Sequence, residues 1–146
     1  MRQLIIVRKD LNMSPGKLAA QVSHASVAFL SQILLNGDKN TEIDETYTIT
    51  VNIPANIYEE WFCGIFTKTI CEAKNHNQLL KAVSIARDLG FKENEDYFLI
   101  KDNCLTELEP EEFDESGVGR TLTCIGFKPL PDNVAHTISK KYQLYK

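Results

Sequence analysis

The chain has 146 residues, of which 43% are hydrophobic and 25% are charged, and its formal net charge at pH 7 is −4. This composition excludes a disordered chain and argues against a generally basic protein that coats nucleic acid. We expect one domain over residues 1–146. No apolar run approaches the roughly 20 residues that span a bilayer, and Arg8 directly follows the first apolar run. We therefore expect neither a membrane span nor a signal peptide.

The first 37 residues predict a strand followed by a long helix. Residues 4–7 form a continuous apolar run, which is typical of a central strand covered on both faces. Residues 15–35 repeat apolar side chains at helical spacing. Ser14 is the predicted N-cap, Pro15 the first helical residue and Gly37 the C-terminal cap.

The rest of the chain alternates shorter elements. Before residue 75 we predict, in order, a surface loop over 38–45, a strand over 46–53, a short helix over 56–62 and a strand over 67–73. After it we predict a helix over 75–90, a strand over 96–101, an acidic loop over 107–115, a strand over 120–127 and a helix over 132–142. Strands alternating with helices predict an α/β fold with a mixed or mostly parallel sheet. Ligands of such sheets bind beyond the carboxyl ends of the strands.

Charge is distributed unevenly along the chain. Residues 107–115 hold six acidic residues and no basic one, whereas the remainder carries 16 basic and 14 acidic residues. A local basic surface outside this segment is therefore compatible with the negative net charge.

The cysteines form no Cys-x-x-Cys pair and have apolar or strand-like neighbours. They are Cys63, Cys71, Cys104 and Cys124. This pattern predicts buried free thiols in the reducing cytosol, and thus a cytoplasmic protein, rather than metal ligands or disulfides.

Three polar side chains share one face of the first predicted helix. At about 100° per residue, Lys17, Gln21 and His24 line up across two turns. A lysine near a helix N-terminus can stabilise an oxyanion, and an imidazole can transfer protons near neutral pH. The alternative is a solvated polar face with a histidine hydrogen-bonded in the core.

A second polar group follows the predicted strand over 96–101. Asp102 stands at its carboxyl end, and Thr106 follows four residues later. Asp102 is a candidate to orient His24 or to bind a ribose hydroxyl. The alternative is an aspartate that only forms the turn.

Residues 6–25 closely resemble the opening motif of the type-2 peptidyl-tRNA hydrolase family. They contain Arg-x-Asp-Leu, Met, Gly-Lys, Ala-Ala-Gln and Ser-His-Ala in order, a long and irregular pattern. Residues 100–106 resemble the family's aspartate-to-threonine turn, and residues 121–126 its last strand. The resemblance covers most of the chain, strongly at the N-terminus and loosely elsewhere.

The resemblance implies a three-layer α/β sandwich: a mixed four-stranded sheet with helices on both faces, often dimeric. It implies an enzyme that hydrolyses the ester joining a peptide to the 3′-terminal ribose of tRNA, without metal or organic cofactor. The positions that match the family's implicated residues are Lys17, Gln21, His24, Asp102 and Thr106. Our own hypothesis is that Lys17, His24 and Asp102 are catalytic and that a water is deprotonated through His24. Gln21 and Thr106 would bind and position the substrate.

Four departures from the family pattern are visible. Residues 64–68 lack the glutamine of the family's Gly-Gln-x-Lys, so that Lys68 is the matching substrate-binding lysine. Glu107 stands where the family has glutamine, and an acidic insertion spans roughly 107–117. The segment 46–53 also looks inserted. They leave two alternatives open: a catalytically silent relative that binds protein or nucleic acid, and an esterase for small acyl substrates.

Overall fold

The computed structural model describes residues 1–42 and 44–146. The helices are α1 (Pro15–Leu35), a short α2 (Ala55–Ile57) that continues as a π-helical turn over Tyr58–Phe62, α3 (His76–Asp88) and α4 (Asp132–Ser139). The strands are β1 (Gln3–Arg8), β2 (Asp38–Thr41), β3 (Tyr47–Thr50), β4 (Lys68–Ala73), β5 (Tyr97–Asp102), β6 (Glu112–Phe113), β7 (Gly119–Phe127) and β8 (Gln143–Leu144).

The main sheet is mixed, with four long strands in the order β5-β7-β1-β4. β1 pairs parallel with β4, and β7 pairs antiparallel with both β1 and β5. β1, β4 and β5 therefore run in the same direction and end at one edge, which we call the carboxyl edge. The predicted four-stranded mixed sheet is confirmed, and the two-residue strands β8 and β6 extend it to six by pairing with β4 and β7.

β1 is the central strand, as its apolar run predicts, and all six of its residues are buried. Leu4 and Ile6 pack in the core beneath α3 and α4. Ile5 and Val7 pack on the opposite face, in the core beneath α1. The strand thus buries both faces, and the predicted three-layer sandwich is confirmed.

α1 lies close against β7. A Cβ built on Gly126 of β7 would stand 2.5 Å from the carbonyl oxygen of Ala25, in the middle of α1. Because real Cβ atoms do not approach a backbone oxygen so closely, only glycine fits this crossing. The missing side chain sets the spacing between helix and sheet.

α1 also corrects the expectation that no apolar segment is long enough to cross a bilayer. Its length and composition suffice, with a mean hydropathy of 1.4 over 18 residues. A helix packed in a protein core passes the same test. Gln21, Ala25 and Phe29 of α1 are buried against the rest of the fold, so α1 forms a layer of the sandwich.

Residues 38–45 are not a simple loop. Asp38–Thr41 form β2, which pairs antiparallel with β3 in a separate two-stranded sheet. Charged and amide side chains disfavour a strand, but the backbone of β3 supplies the ladder that they need. β3 is also shorter than the strand predicted over 46–53. At Ile43 the loop prediction lies outside the described residues.

Three other predictions need correction. The last helix ends at Ser139 rather than Tyr142, and β8 follows it. Within the acidic loop, Glu112–Phe113 pair with β7. Of the four free thiols, Cys71 and Cys124 are buried as predicted, but Cys63 is exposed and Cys104 is only half-buried.

Candidate active site

The first turn of α1 begins the candidate site. Ser14 is the N-cap, as predicted, and its Oγ accepts the backbone N–H of Lys17 at 3.3 Å. Pro15 occupies the first helical position, where a missing N–H removes no hydrogen bond. The cap fixes the backbone from which the Lys17 side chain extends.

Lys17 forms an ion pair with Asp102, the last residue of β5. Lys17 Nζ lies 2.6 Å from Asp102 Oδ2, and the two side chains are only 13% and 10% exposed. Removing two charges from water costs free energy that close pairing and further hydrogen bonds must offset. The pair therefore depends on the polar groups around it.

Gln21 supplies one of those groups. Its Nε2 donates to Asp102 Oδ2 at 2.9 Å, and its Oε1 accepts from the Thr123 hydroxyl of β7 at 2.7 Å. Gln21 is 2% exposed and Thr123 is fully buried. Because a hydroxyl donor lies on one side and a carboxylate acceptor on the other, the orientation of the amide is determined.

The turn after β5 supplies the other polar groups around the ion pair. The backbone N–H of Cys104 donates to Asp102 Oδ1 at 2.9 Å, and Cys104 has a φ of +54°. The turn then brings Thr106 back to α1, where its Oγ1 accepts from Lys17 Nζ at 3.3 Å. Asp102 therefore both forms the turn and belongs to the site. The two roles considered from the sequence, a site residue and a turn-forming aspartate, are not exclusive.

The charge state of Asp102 follows from these contacts. Burial alone would raise the pKa of its carboxyl, but the hydrogen bonds from Lys17, Cys104 and Gln21 and the charge of Lys17 outweigh burial and hold that pKa below its ordinary value of 3.8. Asp102 is a carboxylate at neutral pH, and it fixes the position of the Lys17 ammonium.

His24 lies on the same wall as Lys17 and Gln21 but is exposed. The alternative of a core histidine is therefore wrong. The described hydrogen bonds of Asp102 go to Lys17, Gln21 and Cys104, so they do not include an orienting bond to His24. One open cavity of about 410 Å³ is lined by all five predicted site residues around the ion pair: Lys17, Gln21, His24, Asp102 and Thr106. Ile100, Lys101, Asn103 and Leu105 complete its lining.

Lys68 does not join this group. It pairs in register with Gln3, at the beginning of β1 and β4, and so lies at the edge opposite the carboxyl edge. Its ammonium stands over the rings of Phe66 and Trp61, 3.4 Å and 4.9 Å from their centroids. Burial lowers the pKa of Lys68. Its predicted role in substrate binding stays a prediction. From this edge Lys68 would contact the body of the tRNA rather than the ester.

Sequence reasoning missed two contacts of the acidic loop beside this site. Glu107 accepts from the backbone N–H and the hydroxyl of Ser14, at 2.9 Å and 2.6 Å. These bonds lower the pKa of the Glu107 carboxyl. Glu111 accepts two hydrogen bonds from the guanidinium of Arg8, at 2.5 Å and 2.7 Å. Six acids in nine residues were a signal that the loop needs basic partners, but not of which ones.

A second cavity, of about 350 Å³, lies between the end of α1 and the β2–β3 hairpin. Its charged lining residues, Asp38, Glu95 and Lys128, do not repeat the arrangement around Lys17. Within residues 1–42 and 44–146 we find no group of three His, Cys, Asp or Glu side chains placed to hold a metal ion.

Comparison with known proteins gives one family. The sequence model described as "Peptidyl-tRNA hydrolase PTH2" matches residues 1–145. The chain is 32% identical over 128 residues to a peptidyl-tRNA hydrolase of Methanopyrus kandleri, covering 88% of this chain and 84% of that protein. It is 27% identical to one of Thermoplasma acidophilum (98% and 97% covered) and 28% identical to one of Sulfolobus acidocaldarius (99% of each). The chain belongs to the type-2 peptidyl-tRNA hydrolase family.

Proposed function

We propose that this protein is a carboxylic ester hydrolase that cleaves peptidyl-tRNA, or N-blocked aminoacyl-tRNA, at the 3′-terminal ribose and so recycles tRNA. The observation that carries the proposal is the buried Lys17–Asp102 pair at the wall of an open cavity, in a chain of this family.

Lys17 is the proposed electrophilic group. Hydrolysis places negative charge on the carbonyl oxygen of the ester, and a nearby ammonium stabilises that charge most when it is already in position. Asp102 and Thr106 hold Lys17 Nζ from two sides. Asp102 thereby positions Lys17 and partly balances its charge before substrate arrives.

His24 is the proposed general base. Its exposed imidazole lines the cavity and can take a proton from a water that attacks the carbonyl carbon. The same proton then passes to the ribose oxygen as the ester bond breaks, which leaves a free acid and a free hydroxyl. Asp102 is a weaker candidate base, because its contacts lower its pKa.

Gln21 and Thr106 are the proposed positioning groups. Gln21 is held by Thr123 and Asp102, and Thr106 by Lys17. Both line the cavity, so a substrate that enters it meets the amide and the hydroxyl beside Lys17.

A catalytically silent relative is less well supported. One departure that motivates it, over residues 64–68, ends at Lys68 on the edge opposite the cavity. The departure at Glu107 replaces an amide by a carboxylate, which bonds Ser14 and leaves the contact between Lys17 and Asp102 in place.

The test is release of the acyl group from a defined N-acetylaminoacyl-tRNA. We expect turnover by wild type and its loss by His24→Ala. His136→Ala is the matched control, because this exposed imidazole lies on α4, on the other face of the sheet. Wild-type turnover by His24→Ala would remove His24 from the mechanism. No turnover by wild type would contradict the hydrolase.

We also propose a cytoplasmic location and a homodimer. Described cysteines that remain free thiols support a reducing compartment. The exposed apolar side chains Val27, Leu34 and Leu35 of α1 support a contact with a second copy. Sedimentation of wild type and Leu35→Glu tests the dimer, and a monomeric wild type would contradict it.

A further inference from the structure

The acidic segment, residues 107–115, contacts basic groups around the candidate active site. Glu111 binds Arg8, which is only 3% exposed and also bonds Asp10 and the carbonyl oxygen of Leu122. This partly buried contact ties the segment to the end of β1.

Two further carboxylates of the segment pair with partly exposed cations. Glu112 pairs with Lys101, and Asp114 pairs with Arg120 at 3.2 Å. The cation side chains are 43% and 32% exposed, so solvent and solutes reach them. Lys101 itself lines the active-site cavity, and Arg120 bonds Asn103, which also lines it.

Of the three remaining carboxylates, Glu107 bonds Ser14 and the other two offer a contrast. Glu109 and Glu115 are exposed and form no ion pair in the part of the chain that the structure describes. The segment therefore contains paired and unpaired carboxylates of the same charge, a few residues apart.

Phosphates compete well for cations of this kind. Ion pairs between partly exposed side chains contribute little free energy, whereas a phosphodiester backbone that binds a lysine or arginine releases condensed counterions. A tRNA lying over the cavity can therefore displace carboxylates from Lys101 and Arg120.

We propose that Glu112 and Asp114 compete with the phosphates of tRNA for Lys101 and Arg120 and thereby set the affinity of the enzyme for the tRNA body. The inference rests on the proposed function, since it assumes that tRNA lies at this cavity. It gives the acidic segment a role in substrate affinity rather than in the chemical step.

The test compares two double variants with the same change in net charge. Glu112→Gln/Asp114→Asn frees Lys101 and Arg120, and asparagine keeps the Oδ1 that accepts from Ser116 and Val118. Glu109→Gln/Glu115→Gln removes two unpaired charges and is the control. Thermal unfolding verifies that both variants fold.

Binding of deacylated tRNA is the first readout, because it needs no turnover. We expect the first variant to bind more tightly than the control at low salt. Two additional phosphate contacts add about a tenfold change in affinity between ~50 mM and ~200 mM salt, so the advantage should shrink by that factor. Equal affinities of the two variants at every salt concentration would overturn the proposal. The acidic segment would then act on tRNA only through general charge repulsion.

Hydrolysis is the second readout. For N-acetylaminoacyl-tRNA we expect a lower KM and an unchanged kcat in the first variant. For an N-acetylaminoacyl ester of adenosine, which has no phosphodiester backbone, we expect no change in either constant. A drop in KM for both substrates would overturn the proposal. Loss of turnover in every protein, with the difference in tRNA binding intact, would contradict the proposed function and not this inference.

Discussion

The ammonium nitrogen of Lys17 lies 2.6 Å from Oδ2 of Asp102, and this contact joins the first turn of α1 to the end of β5. The two residues come from opposite halves of the chain, so the pair exists only once the sheet has formed. Loss of either charge leaves the other nearly buried and unpaired, which is costly. The pair thus links the stability of the fold to the proposed chemistry.

Lys17→Ala should abolish most of the activity. Removal of one group that stabilises an oxyanion lowers kcat by about 10²–10³-fold, measured as acyl release from N-acetylaminoacyl-tRNA. Lys81→Ala, an exposed lysine of α3 on the other face of the sheet, is the matched control. A kcat for Lys17→Ala equal to that of Lys81→Ala would refute the role of Lys17.

Thr123→Val should lower both stability and activity. It removes the hydroxyl that donates to Gln21 Oε1 and leaves a buried acceptor unsatisfied, which costs about 1–3 kcal/mol. With its amide no longer held, Gln21 should also position Asp102 less well. Thr123→Ser keeps the donor and serves as control. Urea unfolding and kcat should separate the two variants, and identical behaviour would speak against the chain from Thr123 to Asp102.

Acid should destabilise wild type more steeply than Asp102→Asn. The pKa of Asp102 is lowered in the folded protein, so its contribution to stability is present above about pH 3.8 and is lost as the pH falls through the lower, folded-state value. The amide cannot titrate, and this part of the slope should disappear. Urea unfolding from pH 6 downward measures how the free energy of unfolding depends on pH, with Asp88→Asn on α3 as control. Parallel curves for wild type and Asp102→Asn would contradict the assignment.

The four thiols should react with iodoacetamide in a fixed order. Cys63 is exposed and should react first, followed by the half-buried Cys104. Burial raises the pKa of Cys71, and it raises that of Cys124 to about 12, so both should resist until the protein unfolds. Peptide mass spectrometry over time gives the order. Early labelling of Cys124 would mean that the core beneath α1 opens readily.

The layers of the fold were predictable because local patterns report burial. The apolar run of β1 predicts a strand that is buried on both faces. The helical spacing of apolar residues in α1 predicts which face of the helix packs. The short β8 and the strand pairing of β2 were not predictable, because a segment of two residues, or of four polar residues, takes a strand conformation only when a neighbouring backbone offers hydrogen bonds. Such contacts are decided by tertiary structure.

The residue types of the site were predictable, but their connections were not. The face shared by Lys17 and Gln21 follows from helix geometry, and Asp102 from its place at a strand end. Asp102 binds Lys17 rather than His24 because of the path of the turn through Cys104. The positive φ of Cys104 could not be predicted from any sequence pattern. Thr123 looked like one residue of a strand and proved to fix the amide.

Gly126 places a limit on how this enzyme can change. The bonds from Gln21 to Thr123 and from Lys17 to Asp102 both cross the gap between helix and sheet, and that gap is held at the crossing of Ala25 over Gly126. Even one added methyl group would push α1 outward and lengthen both bonds together. Mutational tolerance at this position is therefore limited by catalysis as well as by packing, although the residue itself offers no atom to a substrate.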